Sequence, residues 1–470
     1  MGRAGRFGCA CLALLFLSTA APAGVTDIDW TEVEREAAEW LRAYIRIDTT
    51  NPPGQETAAA SFLAEHFRQS GVEAETFEPA PGRGSVLARV KGNGTLRPVI
   101  LLNHLDVVAA RPEGWDLPPF EAGVRDGYIY GRGAIDCKGP GIIEAMTLVL
   151  LKRHHIALQR DVIFLGTADE EAGGRLGAGW MTAEHIEKLR HAEFVINEGG
   201  GVRVLPNGSR VYEVAIAEKT PCWLKLQASG TGGHGSAPPP ETAVTRLIRA
   251  LGRLRAYETP VRVTPEVQAY YTALASTQSG DRVERYKDLH RALEDSDFRR
   301  AFLQNPHDAA LVRNTITPTV LNGSSKTNVI PQDASAEIDC RLLPGEDADA
   351  FVRTVREIIA DREVDVSVLL SFPEISSPLE TTFTAAVRKL AYRDHATMIP
   401  SVLTGFTDSH YFREKGIASY GFIPFDMSEA ESAREHGPNE RLSVRNLGLG
   451  TRRLIELLQL LDTEATAGER

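Results

Sequence analysis

The alternation of strand-like and helical stretches constrains the fold of this chain more than any other sequence feature. Strand-like runs occur at residues 73–77, 85–90, 99–103, 162–165 and 194–196. Apolar residues at helical spacing occur among them, at residues 31–45, in a second helix that ends near residue 70 and at residues 139–152. Strands that alternate with helices form an α/β layer. We therefore predict an α/β fold with a mainly parallel central sheet.

A change in sequence style near residue 211 indicates a second domain. Longer alternating strands follow at residues 222–229, 328–330 and 335–343, and the strand–helix style returns near residue 377, with helices at 383–392 and 444–461. A chain of 470 residues also exceeds one ordinary core. We predict an α+β domain at residues 216–374 that is inserted between residues 24–215 and 375–470 of the larger domain. The polar, helical residues 258–313 form a cap or an extended loop in this scheme.

The first 23 residues have the pattern of a signal peptide. Arg3 and Arg6 precede an apolar run at residues 7–17, which leads to small residues ending at Ala23. A membrane anchor is the alternative, but the run is shorter than the roughly 20 apolar residues that span a bilayer. A lipid on Cys11 is a weaker alternative, because the apolar stretch follows that cysteine. We expect export to a periplasm or the exterior, cleavage near Ala23, and no membrane span in the mature chain.

Charge and cysteine content exclude other classes of protein. Cleavage near Ala23 would remove two arginines and no acidic residue, so the net charge of −11 would become −13. An acidic chain is a poor nucleic-acid binder, and we predict no nucleic-acid partner. Cys137, Cys222 and Cys340 would remain, an odd number at irregular spacing that gives no disulfide framework, although one bridge could form.

Acidic and histidine residues stand at the ends of the predicted parallel strands. They are His104 and Asp106 after the strand at 99–103, Asp169, Glu170 and Glu171 after the strand at 162–165, and Glu198 after the strand at 194–196. Ligand sites in open α/β sheets form beyond the carboxyl ends of the strands. Carboxylates crowded together repel one another unless cations lie among them. The sequence therefore predicts a metal site at this edge of the sheet.

The ligand types indicate which metal this site would hold. Imidazole nitrogen with carboxylate oxygen and without thiolate suits zinc, and also tolerates cobalt or manganese. We interpret Cys137 as a buried neighbour of Asp136 rather than as a ligand. Because one zinc needs only three protein ligands, the surplus indicates two ions bridged by a carboxylate. Each of these groups of residues alone is compatible with a hydrogen-bonded surface pair or a charged turn. Their occurrence together favours a metal site.

Ten short runs give the chain a resemblance to a known family. They are residues 47–53 (IDTTNPP), 104–108 (HLDVV), 130–133 (YGRG), 136–139 (DCKG), 169–171 (DEE), 197–200 (NEGG), 232–238 (GGHGSAP), 328–331 (NVIP), 405–408 (GFTD) and 436–440 (HGPNE). The chain resembles the zinc metallopeptidases that include aminoacylase, acetylornithine deacetylase, succinyl-diaminopimelate desuccinylase and carboxypeptidase S. Among them it is most similar to the branch of carboxypeptidase S and Gly-Xaa carboxypeptidase.

The resemblance implies a role for each residue of the metal site. Asp136 would bridge two zinc ions, with His104 and Glu198 on one ion and Glu171 and His436 on the other. A zinc-bridging hydroxide would be the nucleophile. Glu170 would be the general base that takes a proton from this water and delivers it to the leaving nitrogen. Asp106 would accept the second N–H of His104 and fix its tautomer.

The inserted domain would be a lid and dimerisation domain, and the larger domain the catalytic one. In the family the histidine that matches His234 reaches the oxyanion of the tetrahedral intermediate, often from a partner subunit. Asn328 and Arg341, predicted on neighbouring strand-like segments, would bind the free carboxylate of the substrate. Gly405 would also contact the substrate. The resemblance further implies a homodimer, and leaves open whether His234 acts within its own subunit.

Three positions depart from the family pattern. Cys137 replaces an acidic residue or methionine, while Thr220 and Phe406 replace frequent glycines. In the family the peptide bond after the bridging aspartate is often cis, and the Asp136–Cys137 bond is the one to examine. None of the three changes removes a ligand. We expect Phe406 to narrow the substrate pocket.

These features predict a zinc-dependent hydrolase of amide bonds next to a free-carboxylate amino acid. It would be a carboxypeptidase, a dipeptidase or an N-acyl-amino-acid amidohydrolase. One alternative is a catalytically inactive, ligand-binding relative, against which the retention of Glu170 and of all five ligands argues. Another is a serine hydrolase, but the chain has no Gly-x-Ser-x-Gly motif. The preferred side chain and the physiological metal do not follow from the sequence.

Overall fold

The computed structural model describes residues 27–468, so the predicted signal peptide lies outside the described residues. The strands are β1 (Glu73–Phe77), β2 (Ser85–Val90), β3 (Val99–His104), β4 (Val124–Arg125), β5 (Tyr128–Tyr130), β6 (Val162–Thr167), β7 (Phe194–Val204), β8 (Arg210–Glu218), β9 (Thr220–Ser229), β10 (Gly233–His234), β11 (Thr315–Asn322), β12 (Val329–Ile330), β13 (Asp333–Leu342), β14 (Val364–Ser371), β15 (Thr397–Leu403), β16 (Ala418–Ser428) and β17 (Arg441–Ser443).

The helices frame these strands along the described chain. They are α1 (Trp30–Ile45), α2 (Glu56–Gln69), α3 (Lys138–Arg153), α4 (Ala178–Glu184), α5 (Ile186–Leu189), α6 (Ala243–Ala256), α7 (Pro265–Leu274), α8 (Arg282–Lys287), α9 (Leu289–Ala292), α10 (Ser296–Phe302), α11 (Pro306–Leu311), α12 (Ala348–Ile359), α13 (Thr382–Arg393), α14 (Ser409–Glu414), α15 (Glu429–Ser432) and α16 (Val444–Gly468).

The larger domain is built on an eight-stranded sheet with the order β1-β2-β6-β3-β7-β16-β8-β15. Its four central strands, β6, β3, β7 and β16, run parallel to one another. Antiparallel pairing is found at β1, β2 and β8, and the edge strand β15 runs parallel to β8. This topology confirms the predicted α/β fold with a mainly parallel central sheet.

Alternation along β3 shows how the central sheet is buried on both faces. Val99 and Leu101 join the core formed with α1, α2, α3, α13 and α16, whereas Ile100 and Leu102 join a second core with α4 and α14. Every residue of β3 is buried. Strands covered on both faces need apolar side chains on both, which is why β3 and β6 read as continuous apolar runs in the sequence.

The inserted part has a sheet of its own. Strands β11-β13-β9-β14 form an antiparallel sheet in that order, and α6 and α12 cover one face of it around a separate core. Strands β10 and β12 pair apart from this sheet as a short ribbon. The exact domain boundaries stay a prediction.

The segment at residues 258–313, for which we predicted a cap or an extended loop, forms helices α7–α11. Helix α7 packs against β15, at the edge of the eight-stranded sheet, and α8 and α9 pack on α7. Val267 and Tyr271 are completely buried there and extend the main core. Within residues 27–468, no helix combines the length and the apolar character needed to cross a membrane.

Candidate active site

The carboxyl edge of the central sheet brings the predicted acidic residues together. His104 ends β3, and Glu170 and Glu171 lie in a 3₁₀ turn that follows β6. Glu198 lies inside β7 rather than beyond its end, because the strand continues to Val204 after a shift in its pairing with β16. Gly199 permits this irregularity with a φ of 106°, at a position where a Cβ would collide with Leu403.

Two groups of metal-ligating side chains meet at Asp136. The first group contains His104, Asp136, Cys137 and Glu198, and the second contains Asp136, Glu171 and His436, with the ligand atoms of each group within 4.8 Å of one another. Asp136 Oδ1 lies 2.8 Å from His104 Nε2, and Asp136 Oδ2 lies 2.7 Å from His436 Nε2. The two oxygens of one carboxylate therefore face two different imidazoles.

The remaining distances test whether metal ions fit these groups. Glu198 Oε2 lies 3.6 Å from His104 Nε2, and Glu171 Oε1 lies 3.5 Å from His436 Nε2. Glu171 Oε1 is buried without a hydrogen-bond partner. Two atoms on one tetrahedral zinc, each bound at about 2.1 Å, lie roughly 3.4 Å apart. The donor types fit one cation in each group, and the Glu198–His104 and Glu171–His436 separations match this spacing, while Asp136 lies closer to both imidazoles.

Burial and mutual repulsion dominate the electrostatics of the cluster. Burial raises the pKa of Glu198 to about 7, and burial together with the charge of Glu198 raises the pKa of Glu170 well above its usual range. Burial opposes the ionisation of Asp136 as well, but hydrogen bonds from His104 and His436 outweigh it and lower the pKa of Asp136. Carboxyl groups crowded in this way ionise together only around added positive charge.

Cys137 keeps the backbone geometry expected at the bridging position. The Asp136–Cys137 peptide bond is cis. Asn103 Nδ2 donates to the carbonyl oxygen of Cys137 at 2.6 Å and approaches its sulfur at 3.0 Å. The cysteine is buried. Its side chain is thus an internal neighbour of the cluster, tied to β3 by Asn103.

Asp106 lies behind the cluster and holds the turn that carries Glu170. Its carboxylate accepts the backbone N–H groups of Glu170 and Glu171, each at 3.1 Å, and the amide of Asn51 at 2.8 Å. His104 Nδ1 lies 3.0 Å from the backbone oxygen of Asp106 but 3.6 Å from its carboxylate. The backbone oxygen, not the predicted carboxylate, is therefore the nearer acceptor for His104.

A cleft of about 970 Å³ opens beside the cluster. Its lining includes Asp136, Glu170, Glu171, Glu198 and His436 together with Gly199, Val202, Arg203, Glu213, Trp223, His307, Arg341, Leu403, Gly405, Phe406, Ile423, Phe425 and Met427. Of the residues predicted to bind substrate, Arg341 and Gly405 are therefore in the same cleft as the cluster and the predicted base.

Arg341 has one edge of its guanidinium engaged and one nitrogen without a partner. Its Nε and Nη2 donate to the two carboxylate oxygens of Asp339, at 2.7 and 3.1 Å. Its Nη1 is buried and makes no hydrogen bond. The guanidinium carbon lies 5.6 Å from the ring centre of Trp223 and 5.0 Å from that of Phe406. The free donor is suited to a carboxylate in the cleft.

His234 and Asn328 are not among the described residues that line this cleft. Both are exposed, on the ribbon of β10 and β12, where the N–H of Gly235 donates to the backbone oxygen of Asn328. Asn328 is not paired beside Arg341 within one subunit, because β12 pairs with β10 and not with the strand that carries Arg341. Its role at the substrate carboxylate stays a prediction. Neither residue completes the site within one subunit.

A buried pair that the sequence interpretation missed supports two of the ligands. Glu440 accepts the backbone N–H groups of Gly133, Ile135 and Asp136, and it also accepts a hydrogen bond from Arg132. Arg132 donates in addition to the backbone oxygen of His436 at 3.0 Å. The signal was present, since Arg132 and Glu440 belong to the runs YGRG and HGPNE.

Comparisons with known proteins agree with the site. The sequence pattern of Peptidase family M20/M25/M40 matches residues 100–460. The chain is 32% identical over 454 residues to N-fatty-acyl-amino acid synthase/hydrolase PM20D1 of Xenopus tropicalis, covering 92% of this chain and 86% of that protein. It is 28% identical over 422 residues to Aminoacylase-1A of Rattus norvegicus, covering 87% of this chain and 91% of that protein.

Solved structures show the same fold. The M20 family metallo-carboxypeptidase Sso-CP2 from Sulfolobus solfataricus superposes with a TM-score of 0.73 at 21% identity, covering 91% of this chain and 99% of that one. Human carnosine dipeptidase 1 gives a TM-score of 0.68 at 18% identity, covering 92% and 99%. The family resemblance seen in the sequence is confirmed, while the branch within the family stays a prediction. The chain belongs to the M20/M25/M40 peptidase family and is a hydrolase that acts on amide bonds.

Proposed function

We propose that this protein is a di-zinc hydrolase that removes an acyl group from the nitrogen of an amino acid with a free carboxylate. The strongest support for this proposal is the set of residues that line one cleft. The cleft is lined by Glu170, by Arg341, whose Nη1 has no hydrogen-bond partner, and by four members of the two ligand groups, Asp136, Glu171, Glu198 and His436.

His104, Asp136 and Glu198 would hold one zinc ion, and Asp136, Glu171 and His436 the other. Bound zinc would polarise the scissile carbonyl and activate a water, and cobalt or manganese are candidate substitutes. Glu170 then takes a proton from the attacking water and passes it to the leaving nitrogen. Its place in the cleft lining, beside Glu171 and Asp136, favours this role.

The two ends of the substrate would meet different parts of the cleft. Arg341 Nη1 would donate a hydrogen bond to the substrate carboxylate, in the cleft that Gly405 also lines. The cleft lining also includes the apolar residues Val202, Leu403, Ile423, Phe425 and Met427, against which the acyl group would lie. Apolar walls bind an aliphatic chain better than a charged amino terminus. We therefore favour an N-acyl amino acid with an aliphatic acyl group over a dipeptide.

A homodimer would complete the site. His234 and Asn328 lie exposed on their ribbon, outside the cleft of their own subunit. The inserted sheet also leaves its edge strand β11 uncovered, with Leu321 66% exposed and Ile248 on the adjacent α6 62% exposed. An open apolar strand edge is a common pairing surface. We propose that a second copy covers this edge and brings His234 to the oxyanion.

The amino terminus supports export of this enzyme. Arg3, Arg6 and the apolar run at residues 7–17 have the order of a secretory signal. The proposed location is the periplasm or the exterior, after cleavage near Ala23. Mass determination of the protein recovered from outside the cytoplasm tests this, and a chain that retained residues 1–23 inside the cell would contradict it.

A substrate panel tests the proposed function. Zinc-loaded protein should hydrolyse N-acyl amino acids with acyl chains of increasing length, and kcat/KM should rise with chain length. The same amino acids with an amidated carboxyl group should be poor substrates, and a chelator should abolish turnover. Equal turnover of substrates with a free and with an amidated carboxyl group would contradict the proposal. A preference for dipeptides over N-acyl amino acids with aliphatic acyl groups would contradict it as well.

A further inference from the structure

The loop after β15 lies between the proposed metal ligands and Arg341. Thr407 Oγ1 donates to Glu218 at 2.8 Å and accepts from the amide of Asn197, the neighbour of the predicted ligand Glu198. Asp408 accepts from Thr167 Oγ1 at 2.8 Å, at the end of β6. The loop is therefore fixed to the two strands, β6 and β7, that lead to Glu170 and Glu198.

Phe406 belongs to this loop but reaches across to the inserted sheet. Its ring centre lies 5.0 Å from the guanidinium carbon of Arg341 on β13 and 6.0 Å from the ring of Trp223 on β9. On its other side it meets Phe372 edge-on at 5.3 Å, and Phe372 stacks on His410 at 3.6 Å. A row of aromatic rings thus joins the larger domain to the inserted sheet beside Arg341.

We propose that Phe406 is a positioning residue that sets where Arg341 presents its free nitrogen relative to the metal cluster. This inference rests on the proposed function. A cation is attracted to the face of an aromatic ring, so Phe406 and Trp223 hold the guanidinium in addition to Asp339. Because Phe406 is anchored through Thr407 and Asp408 to the strands of the metal site, it fixes Arg341 to that site across the domain boundary.

The position also makes Phe406 a determinant of specificity. A substrate must span the distance between the scissile bond at the cluster and its carboxylate at Arg341. When Arg341 is held in one place, the cleft favours amino acids whose scissile nitrogen and carboxylate are separated by one carbon. Without the ring, Arg341 keeps Asp339 as a partner but loses its connection to the catalytic loop. Discrimination between α- and β-amino acid substrates should then decline.

Phe406→Leu, Phe406→Tyr and the control Phe298→Leu test the proposal. Phe298 is also half-buried and covers an arginine, with its ring 4.7 Å from Arg285, but it lies in α10 away from the cleft. Phe406→Leu should raise KM for N-acyl α-amino acids about 5- to 30-fold, the range expected for loss of a cation–π contact. It should leave kcat nearly unchanged, and it should not change KM for the amidated analogues.

Phe406→Tyr keeps the ring and should restore a KM near that of the wild type, and Phe298→Leu should match the wild type. KM does not depend on the concentration of folded enzyme, so partial unfolding of a variant would not by itself raise KM. If Phe406→Leu does not fold, Trp223→Leu removes the other ring and should show the same rise in KM. The inference is overturned if a folded variant keeps the wild-type ratio of KM for the carboxylate substrate to KM for the amidated substrate. Failure of the wild type to hydrolyse any carboxylate substrate overturns the proposed function instead.

Discussion

The carboxylate of Asp106 accepts the backbone N–H of Glu170 through Oδ1 at 3.1 Å. Its second oxygen accepts the N–H of Glu171 at the same distance. One buried carboxylate therefore fixes the turn that carries both the proposed base and a proposed metal ligand. We therefore expect Asp106 to affect the reaction through this turn, while its backbone oxygen orients His104.

Asp106→Asn replaces one of these acceptors with an amide that faces an N–H donor. Changes behind a metal site commonly reduce metal affinity or activity by about 10- to 100-fold, and we expect kcat and zinc affinity to fall by that much. Competition with a chromophoric chelator measures the affinity. Asp295→Asn is the matched control, because Asp295 accepts two backbone N–H groups at the start of α10. Equal zinc affinity in wild type and Asp106→Asn would contradict the positioning role.

Glu440→Gln should destabilise the protein even without metal. The substitution leaves Arg132 buried without its anionic partner, a change that typically costs about 3 kcal/mol of unfolding free energy. Urea unfolding in the presence of a chelator separates this effect from metal binding. Glu380→Gln breaks an exposed pair with Arg388 and should change stability by less than about 1 kcal/mol. Similar losses in both variants would show that Glu440 has no special supporting role.

Arg341→Ala should mainly affect substrates with a free carboxylate. Because Nη1 has no partner in the protein, its removal should raise KM for these substrates by about 10- to 100-fold, as expected for a hydrogen bond to a charged group. Steady-state kinetics on carboxylate and amidated pairs measure the effect. Arg249→Ala is the control. It removes an arginine of α6 that is paired with Glu241, and KM for both classes of substrate should stay at the wild-type value. A parallel loss on amidated substrates would assign Arg341 a different role.

A mixture of two inactive variants tests whether His234 acts between subunits. Glu170→Gln removes the base, and His234→Ala removes the proposed oxyanion contact. In a two-fold symmetric dimer formed by random exchange, about one quarter of the sites would regain an intact pair, so the mixture should recover about that share of wild-type activity. Activity that stays at the level of the separate variants would place His234 outside the partner's site.

The fold was predictable because its strongest signals are local. Strands β3 and β6 are buried on both faces, so their runs of apolar residues identify them without any knowledge of their neighbours. Helices α7–α11 were harder to place. Their polar sequence fits a cap as well as the helical block observed, and only the contact of Val267 and Tyr271 with the main core decides between them.

The site was predictable where ligands follow strands, and less so where contacts join distant parts of the chain. His104, Glu171 and Glu198 stand at one edge because parallel strands place them there. Glu440 accepts hydrogen bonds from the loop of Asp136, 304 residues away, and the run that contains Glu440 does not by itself identify that partner. The position of Asn328 relative to Arg341 did not follow from the sequence for the same reason, since the pairing of β12 with β10 rather than with β13 depends on tertiary contacts.

Titration of metal-stripped protein with zinc tests the central claim most directly. Turnover of an N-acyl amino acid should rise until two equivalents of zinc per chain have been added and then level off, as expected for a site with two ions bridged by Asp136. Glu170→Gln should take up the same two equivalents without turnover. Full activity of metal-free wild type, or saturation at one equivalent, would contradict the account.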